Sequence, residues 1–191
     1  LEYYNKNADN FAKTTINVDF YETQNRFSTL LPERGYILDF GCGSGRDTKY
    51  FLEQGFYVDA TDGSEEMCHI ASNYTGIQVR RLLFEELDEN KKYEGIWACS
   101  SILHLPKNEL KAVFMKMFKA LKEDGIIYTS FKYGDFEGER NGRYFTDFTE
   151  KTFEEFVDEI DNLQLKEEWI TGDVRPGRGE EKWLNVILQK N

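Results

Sequence analysis

The sequence predicts a doubly wound α/β fold, a mostly parallel sheet with helices on both faces. Three observations predict it. An apolar run, "YILDF", stops at a glycine-rich turn and gives way to an amphipathic stretch. Strand-like and helix-like segments then alternate along most of the chain, the pattern of parallel strands joined by right-handed helical crossovers. The last two apolar runs, 163–171 and 182–189, are joined by a short loop without a helix, so they should pair as an antiparallel hairpin within or at the end of the sheet. With 191 residues, 40% hydrophobic and 15% aromatic, the chain suits one domain with a sizeable core and is too apolar for disorder.

The elements follow in order. Residues 3–31 are polar with spaced aromatics, which predicts one or two helices lying over the rest and ending near Pro32. "YILDF" is the first strand, and "GRDTKYFLEQG" a helix that stops at Gly55. "FYVDAT" is the second strand, followed by a helix opening at Ser64 and closing at Gly76, residue types suited to those two ends. "IQVRRLL" and "GIWACSSI" give the third and fourth strands. In the long helix at 107–125, Leu110, Val113, Phe114, Met117 and Leu121 recur on one face. "GIIYTSF" is the fifth strand; a glycine-rich charged loop, the helix "TEKTFEEFVDEI" and the two late strands complete seven. Without a repeat, low-complexity segment or linker, the chain reads as a single domain over 1–191.

Composition bounds the function. No apolar run reaches the roughly 18 to 20 residues of a membrane span, and the first residues carry no basic-then-apolar signal pattern. Cys42, Cys68 and Cys99 are scattered and lack zinc spacing, so reduced thiols, a cytoplasmic location and no bound metal are expected. A net charge of -11 argues against an extended nucleic-acid surface. The oligomeric state has no sequence signal.

The glycine turn carries the chemistry. Gly41, Gly43 and Gly45 cost backbone entropy, so they need a reason such as positive φ or close approach of a ligand to the main chain. In open parallel sheets ligands sit beyond the carboxyl ends of the strands, where this turn lies. A dinucleotide fingerprint would place the third glycine one position later, and a phosphate loop would continue into Gly-Lys-Ser/Thr. Asp39, just before the turn, would repel a pyrophosphate but suits an ammonium. Asp62 ends the second strand about twenty residues after Gly41, where a carboxylate can accept both hydroxyls of a ribose. A ligand with an amino acid at one end, a ribose in the middle and an adenine at the other meets these demands, and S-adenosylmethionine is such a ligand.

The segments "LDFGCGSGRDT", "VDATDGS" and "IWACSSILHL" resemble the successive motifs of class I S-adenosylmethionine-dependent methyltransferases, over residues 3–131. "GSGRDT" and the lead-in "YYNKNADNFAKTT" resemble the small-molecule type related to tellurite-resistance and ubiquinone-biosynthesis enzymes. The resemblance implies a seven-stranded Rossmann-like sheet, S-adenosylmethionine as cofactor and S-adenosylhomocysteine as product. It implies contacts to the methionine part from Gly41, Cys42, Gly43, Cys99 and Ser100, with Asp39 near its ammonium. Asp62 would hold the ribose, Gly63 and Ser64 would shape the adenine edge, and Leu83 and Phe84 would flank the adenine. Tyr4 and Phe11 would cover the ligand from an N-terminal lid at 1–31, with the cofactor-binding core at 35–131 and substrate-side elements at 132–191.

His104 follows the fourth strand on the ligand face, where it can touch substrate, act as a base, or only brace the turn before Pro106. Lys132, Arg143, Arg175 and Arg178, from three segments that topology sends to the same face, suggest an anionic acceptor; Tyr144 would line its pocket. The expected activity is methyl transfer to a small molecule. A tRNA or protein methyltransferase, a non-catalytic binding domain and a nicotinamide-dependent oxidoreductase remain open alternatives, the last disfavoured by the glycine spacing and Asp39.

Overall fold

The computed structural model describes residues 2–175 and 177–191, with side chains described from Asn5 onward. Helices α1 (Glu2–Thr15) and α2 (Tyr21–Ser28) precede β1 (Tyr36–Phe40), α3 (Arg46–Glu53), β2 (Tyr57–Asp62), α4 (Glu65–Thr75) and β3 (Arg80–Arg81). There follow β4 (Tyr93–Ala98), α5 (Lys107–Ala120), β5 (Leu121–Lys132), β6 (Glu137–Arg140), β7 (Arg143–Thr146), α6 (Glu150–Val157), β8 (Leu163–Gly172) and β9 (Lys182–Lys190). The sheet has seven strands in the order β3-β2-β1-β4-β5-β9-β8. β3, β2, β1, β4 and β5 are mutually parallel; β9 runs antiparallel to both β5 and β8. β8 therefore points the same way as β5, and the turn after it opens at the same sheet edge as the glycine turn. Strand order reverses between β1 and β4, the point where open α/β sheets take ligands.

Alternation along each strand divides the core into two layers. On β1, Leu38 and Phe40 join the layer under α5 and α6, with Phe114, Met117 and Phe153. Ile37 faces the other layer, with Phe51 of α3, Trp97, Tyr128 and Ile187. There Trp97 stacks on Tyr128 with ring centroids 4.0 Å apart.

Four sequence expectations change. The third strand shrinks from 77–83 to two residues, because Leu82, Leu83 and Phe84 leave the sheet to wall a cavity. The long helix expected over 107–125 stops at Ala120, and Leu121 opens β5 instead. The stretch expected as a loop at 132–148 contains the β6–β7 hairpin, turned at Asn141 and Gly142 with φ of 52° and 72°; two positive φ values in succession are what a tight hairpin turn demands. The fourth concerns the lid, expected over residues 1–31. Phe27 of α2 is fully buried, 5.1 Å from the Trp97 ring and 5.7 Å from Phe51, so α2 is a fixed part of the sheet's cover. Among the described residues of the segment before β1, α1, which packs on α4, and the linker after it overhang the site.

Gly95 on β4 is what admits α2. A Cβ there would lie 2.7 Å from Phe27 Cζ and 3.0 Å from Leu31 Cδ1. Gly95→Val should destabilise the protein by about 1–3 kcal/mol through overpacking, and Phe27→Ala by about 3–5 kcal/mol through the cavity left behind. Urea unfolding followed by Trp fluorescence measures both; a neutral Gly95→Val would refute the docking of α2 on β4.

Candidate active site

A cavity of about 880 Å³ opens at the carboxyl ends of the parallel strands. Its floor is the turn from β1 to α3. Gly41, Gly43 and Gly45 all have positive φ, at 83°, 55° and 81°. A Cβ on Gly41 would sit 2.5 Å from Ser101 Cβ, and one on Gly45 2.7 Å from Thr75 Cγ2, so two of the three positions exclude a side chain on space alone. The Gly41 and Cys42 amides donate to the Thr61 carbonyl, each at 2.9 Å, tying the turn to β2. Asp62 completes the tie: Oδ2 accepts from the Gly43 amide at 3.0 Å and Oδ1 from the Ser64 amide at 2.9 Å. Burial pushes the Asp62 carboxyl upward, and these backbone bonds oppose the shift.

Most of the residues singled out from sequence come together here. Gly41, Cys42, Gly43, Asp62 and Gly63 line one side, and Phe11 of α1 overhangs them. Leu83 and Phe84 form an apolar end wall, while Cys99, Ser100 and His104 follow β4. Lys132, Arg143, Arg175 and Arg178 line the far side. Tyr4 lies outside the residues whose side chains are described.

Three expected residues do not line the cavity. Asp39 shares the Ile37 face of β1, away from the opening, and is buried with Oδ2 accepting from Thr48 Oγ1 at 2.5 Å. It is not among the residues that line the cavity. Ser64 is fully buried; its hydroxyl caps α4, accepting from the Met67 amide at 3.2 Å, and donates to Asn5 Oδ1 at 2.6 Å. Tyr144 falls on the outer face of β7, where its hydroxyl donates to Glu137 Oε1, because strand alternation turns Arg143 and Phe145 inward instead.

The four cations do reach one mouth, yet acids from the same segments arrive with them. Lys132 pairs with Glu181 and lies 4.6 Å over the Trp183 ring. Arg175 Nε donates to Asp173 Oδ1 at 2.8 Å, and Arg178 Nη2 to Glu181 Oε2 at 2.8 Å. Burial would raise the Asp173 carboxyl, but bonds from Arg175 and Trp183 hold it down at about 2. The mouth is thus an ion-pair network. The string "GDVRPGRGEE" already carried its own counter-charges.

His104 has one fixed proton. Its Nδ1 is 2.7 Å from the Tyr144 carbonyl oxygen, which can only accept, so the proton is on Nδ1 and Nε2 bears the lone pair. Burial drives its pKa down to about 4, so the ring is neutral at pH 7. Phe145 packs edge-on at 4.7 Å.

Sequence reasoning missed a pair that sits in the cavity wall. Arg46 opens α3 and Asp47 follows, with Arg46 Nε 2.8 Å from Asp47 Oδ1 and Nη2 3.0 Å from Oδ2. Gln24 Nε2 and Trp97 Nε1 also donate to Asp47, at 2.7 and 2.8 Å. The signal was the string "GRDT", opposite charges in the first turn of a helix that lies on the sheet. Burial alone would raise Asp47, but the Arg46 guanidinium and these bonds outweigh it and hold the carboxyl below its usual value. Asp39 goes the other way: burial first, then the charge of Asp47, push it up to about 8.

An acid raised in the folded state contributes stability that is present below its unfolded pKa of about 4 and lost as pH rises towards its folded pKa of about 8. Asp39→Asn cannot ionise and escapes that loss. Its melting temperature should gain on the native protein's between pH 5 and pH 8 in thermal scans. A difference that stays constant over this range would refute a protonated Asp39.

Comparison with known proteins is consistent with this geometry. Residues 37–125 match the family model described as a methyltransferase domain. YqeM of Bacillus subtilis (strain 168), a methyltransferase by name, is 33% identical over 116 residues, covering 55% of this chain and 47% of YqeM. The malonyl-[acyl-carrier protein] O-methyltransferase of Acetivibrio thermocellus is 26% identical over 61% of this chain and 46% of that protein. The chain thus spans about half the length of these two relatives. Among solved structures, the Burkholderia thailandensis 1,6-didemethyltoxoflavin-N1-methyltransferase, with bound 1,6-didemethyltoxoflavin and S-adenosylhomocysteine, superposes with a TM-score of 0.77 at 23% identity, over 100% of this chain and 84% of that one. A TehB-like S-adenosylmethionine-dependent methyltransferase from Corynebacterium glutamicum gives 0.70 at 20%, over 100% and 97%. Sequence match and fold agree: residues 37–125 match a methyltransferase domain, and the chain has the fold of S-adenosylmethionine-dependent methyltransferases.

Proposed function

We propose that the domain methylates a small molecule in this cavity, with S-adenosylhomocysteine as the other product. The observation that carries the reading is Asp62, bonded to the backbone of the glycine turn at the edge of a cavity of about 880 Å³. The fit is steric as well as polar. Gly41 and Gly43 put no side chain between the turn and the amino-acid part, Asp62 faces a ribose, and Leu83 and Phe84 offer apolar surface to an adenine. Cys99 and Ser100 stand at the methionine end, and Phe11 closes over the top. In this division residues 35–131 hold the cofactor, α1 is the lid, and 132–191 shape the acceptor side.

S-adenosylmethionine, when bound, would supply a methyl group on a positive sulfur: the acceptor's lone pair would take the methyl carbon as the carbon–sulfur bond breaks, its electrons going to sulfur, and the acceptor's proton would pass to water. The chain's own contribution is alignment and exclusion of water. Nε2 of His104 can accept a hydrogen bond from the acceptor's reacting N–H or O–H and so orient it. With a pKa of about 4 it is a poor place to store that proton at pH 7. Lys132, Arg175 and Arg178 pair with only two carboxylates among the described residues, Asp173 and Glu181, and Arg143 stands at the same mouth, so the site keeps a positive excess that suits an acidic group on the acceptor. Among the described residues, no helix is long and apolar enough to cross a membrane.

Calorimetry with S-adenosylhomocysteine tests the cofactor reading. Asp62→Ala should weaken binding by about ten- to a hundredfold, the worth of hydrogen bonds to a charged group. Gly43→Val should abolish it, since φ of 55° disfavours a branched side chain that would also face the ligand. No heat with the native chain, or native affinity in both variants, would refute the reading. Amide exchange should slow in α1 on ligand binding and stay unchanged in α2; the same response in both helices would remove the distinction drawn between them.

A further inference from the structure

We propose that Asp147 sets which molecules the domain methylates, by accepting a hydrogen bond from a neutral N–H or O–H of the substrate other than the group methylated. This deepens the small-molecule reading above and rests on it. Asp147 lines the cavity, yet its side chain is only 4% exposed. It continues the hairpin ladder one residue past β7, its amide donating to the Phe136 carbonyl at 2.8 Å. Alternation carries Arg143, Phe145 and Asp147 to the face that lines the cavity, while Tyr144 and Thr146 take the other. One carboxylate oxygen is held in place. Oδ1 accepts from Arg140 Nη2 at 2.5 Å, and the Arg140 guanidinium is itself fixed over Phe136 and Phe145, 4.5 and 4.7 Å from their rings. The other oxygen, Oδ2, has no hydrogen-bond partner among the described residues.

An open oxygen on a buried carboxylate lowers stability unless something donates to it. The other buried acid of the acceptor half shows the contrast. Asp173 has both oxygens taken, Oδ1 by the Arg175 amide and Nε, and Oδ2 by Arg175 Nη2 and Trp183 Nε1. Asp173 therefore belongs to the ion-pair network of the mouth, whereas Asp147 keeps one oxygen for a ligand. The surroundings choose the kind of donor. Arg140 already neutralises Asp147, and the charge of Lys132 acts on it too, so a neutral N–H or O–H suits Oδ2 better than an ammonium. Position separates this donor from the reacting atom. His104, which can orient the reacting group, packs on Phe145, two residues and about 7 Å along the strand from Asp147. Together with the positive excess at the mouth, this describes a small molecule with an acidic group, a reacting N–H or O–H, and a second, neutral donor.

The test starts from a small-molecule extract of the source cells, given to the native chain with S-adenosylmethionine that carries a deuterated methyl. Mass spectrometry identifies what gains the label, and that compound should carry a neutral N–H or O–H besides the atom methylated. Two arms then use it as substrate. Asp147→Asn keeps the side chain's shape and its bond with Arg140, but its amide nitrogen puts a donor where Oδ2 stood. Its kcat/KM should fall by about ten- to a hundredfold, the range for a hydrogen bond to a charged group, with the affinity for S-adenosylhomocysteine unchanged. In the second arm the substrate's extra donor is replaced by C–H. The native chain should lose the same factor on this analogue, and Asp147→Asn should not favour the parent over it. The native-chain half of that arm needs no variant, so it decides the matter even if Asp147→Asn fails to fold. A labelled compound without a second donor, native turnover by Asp147→Asn, or equal use of parent and analogue by the native chain overturns the proposal. So does a loss of S-adenosylhomocysteine affinity as large as the loss in kcat/KM, which would make Asp147 a structural residue. If S-adenosylhomocysteine binds but nothing in the extract is labelled, the small-molecule reading falls and this assignment falls with it.

Discussion

One buried carboxylate holds the functional edge of this protein together. Asp47 accepts hydrogen bonds from α2 through Gln24, from β4 through Trp97 and from its own helix through Arg46. An ionised group taken out of water is tolerable only when nearly every lone pair is used, and Asp47 meets that condition. The same bonds fix where α3 begins, and therefore how the glycine turn leaves β1. They also lock α2 onto the sheet, which leaves the overhang to α1 among the described helices before β1. Loss of the charge would loosen the helix cover and the cavity wall together.

The two halves of the cavity are built on different principles. The half near Asp62 is made of backbone: glycines with positive φ, amides donating to Thr61 and Asp62, and a short strand that ends early to free Leu83 and Phe84. The half near Lys132 is made of side chains on late segments, the β6–β7 hairpin and the β8–β9 turn. There Arg140 pairs with Asp147 and covers Phe136 and Phe145, while His104 is oriented by a hairpin carbonyl. Backbone recognition suits a ligand common to many enzymes; side chains on loops and hairpins suit the part that differs between them.

The parallel sheet was legible because its signals are local: alternation of strand and helix, Ser64 and Gly76 at the ends of α4, and three glycines after β1. The face to which Lys132, Arg175 and Arg178 are sent also followed from strand direction. What could not be seen was pairing at a distance. Lys132 meets Glu181 across 49 residues, and Asp47 meets Trp97 across 50. Asp39 shows a narrower limit: its place at the end of a strand was legible, but its side chain's hydrogen bond with Thr48 was not. The β6–β7 hairpin was missed although "NG", a strong turn signal, stands at its tip. The surrounding glycines and charges concealed it.

The placement of β9 has a consequence for how the chain is made. β9 follows β8 in sequence but lies between β5 and β8 in the sheet. When a ribosome has delivered β8, that strand has no neighbour to pair with, and β5 still shows a bare edge of unpaired amides and carbonyls. Both must wait for β9, whose contacts with β5 close a loop of more than fifty residues. Such non-local pairing is slow, and bare edges invite pairing with other chains. The nascent protein is therefore especially exposed to aggregation just before β9 appears, with its parallel half already able to form and the acceptor half still waiting.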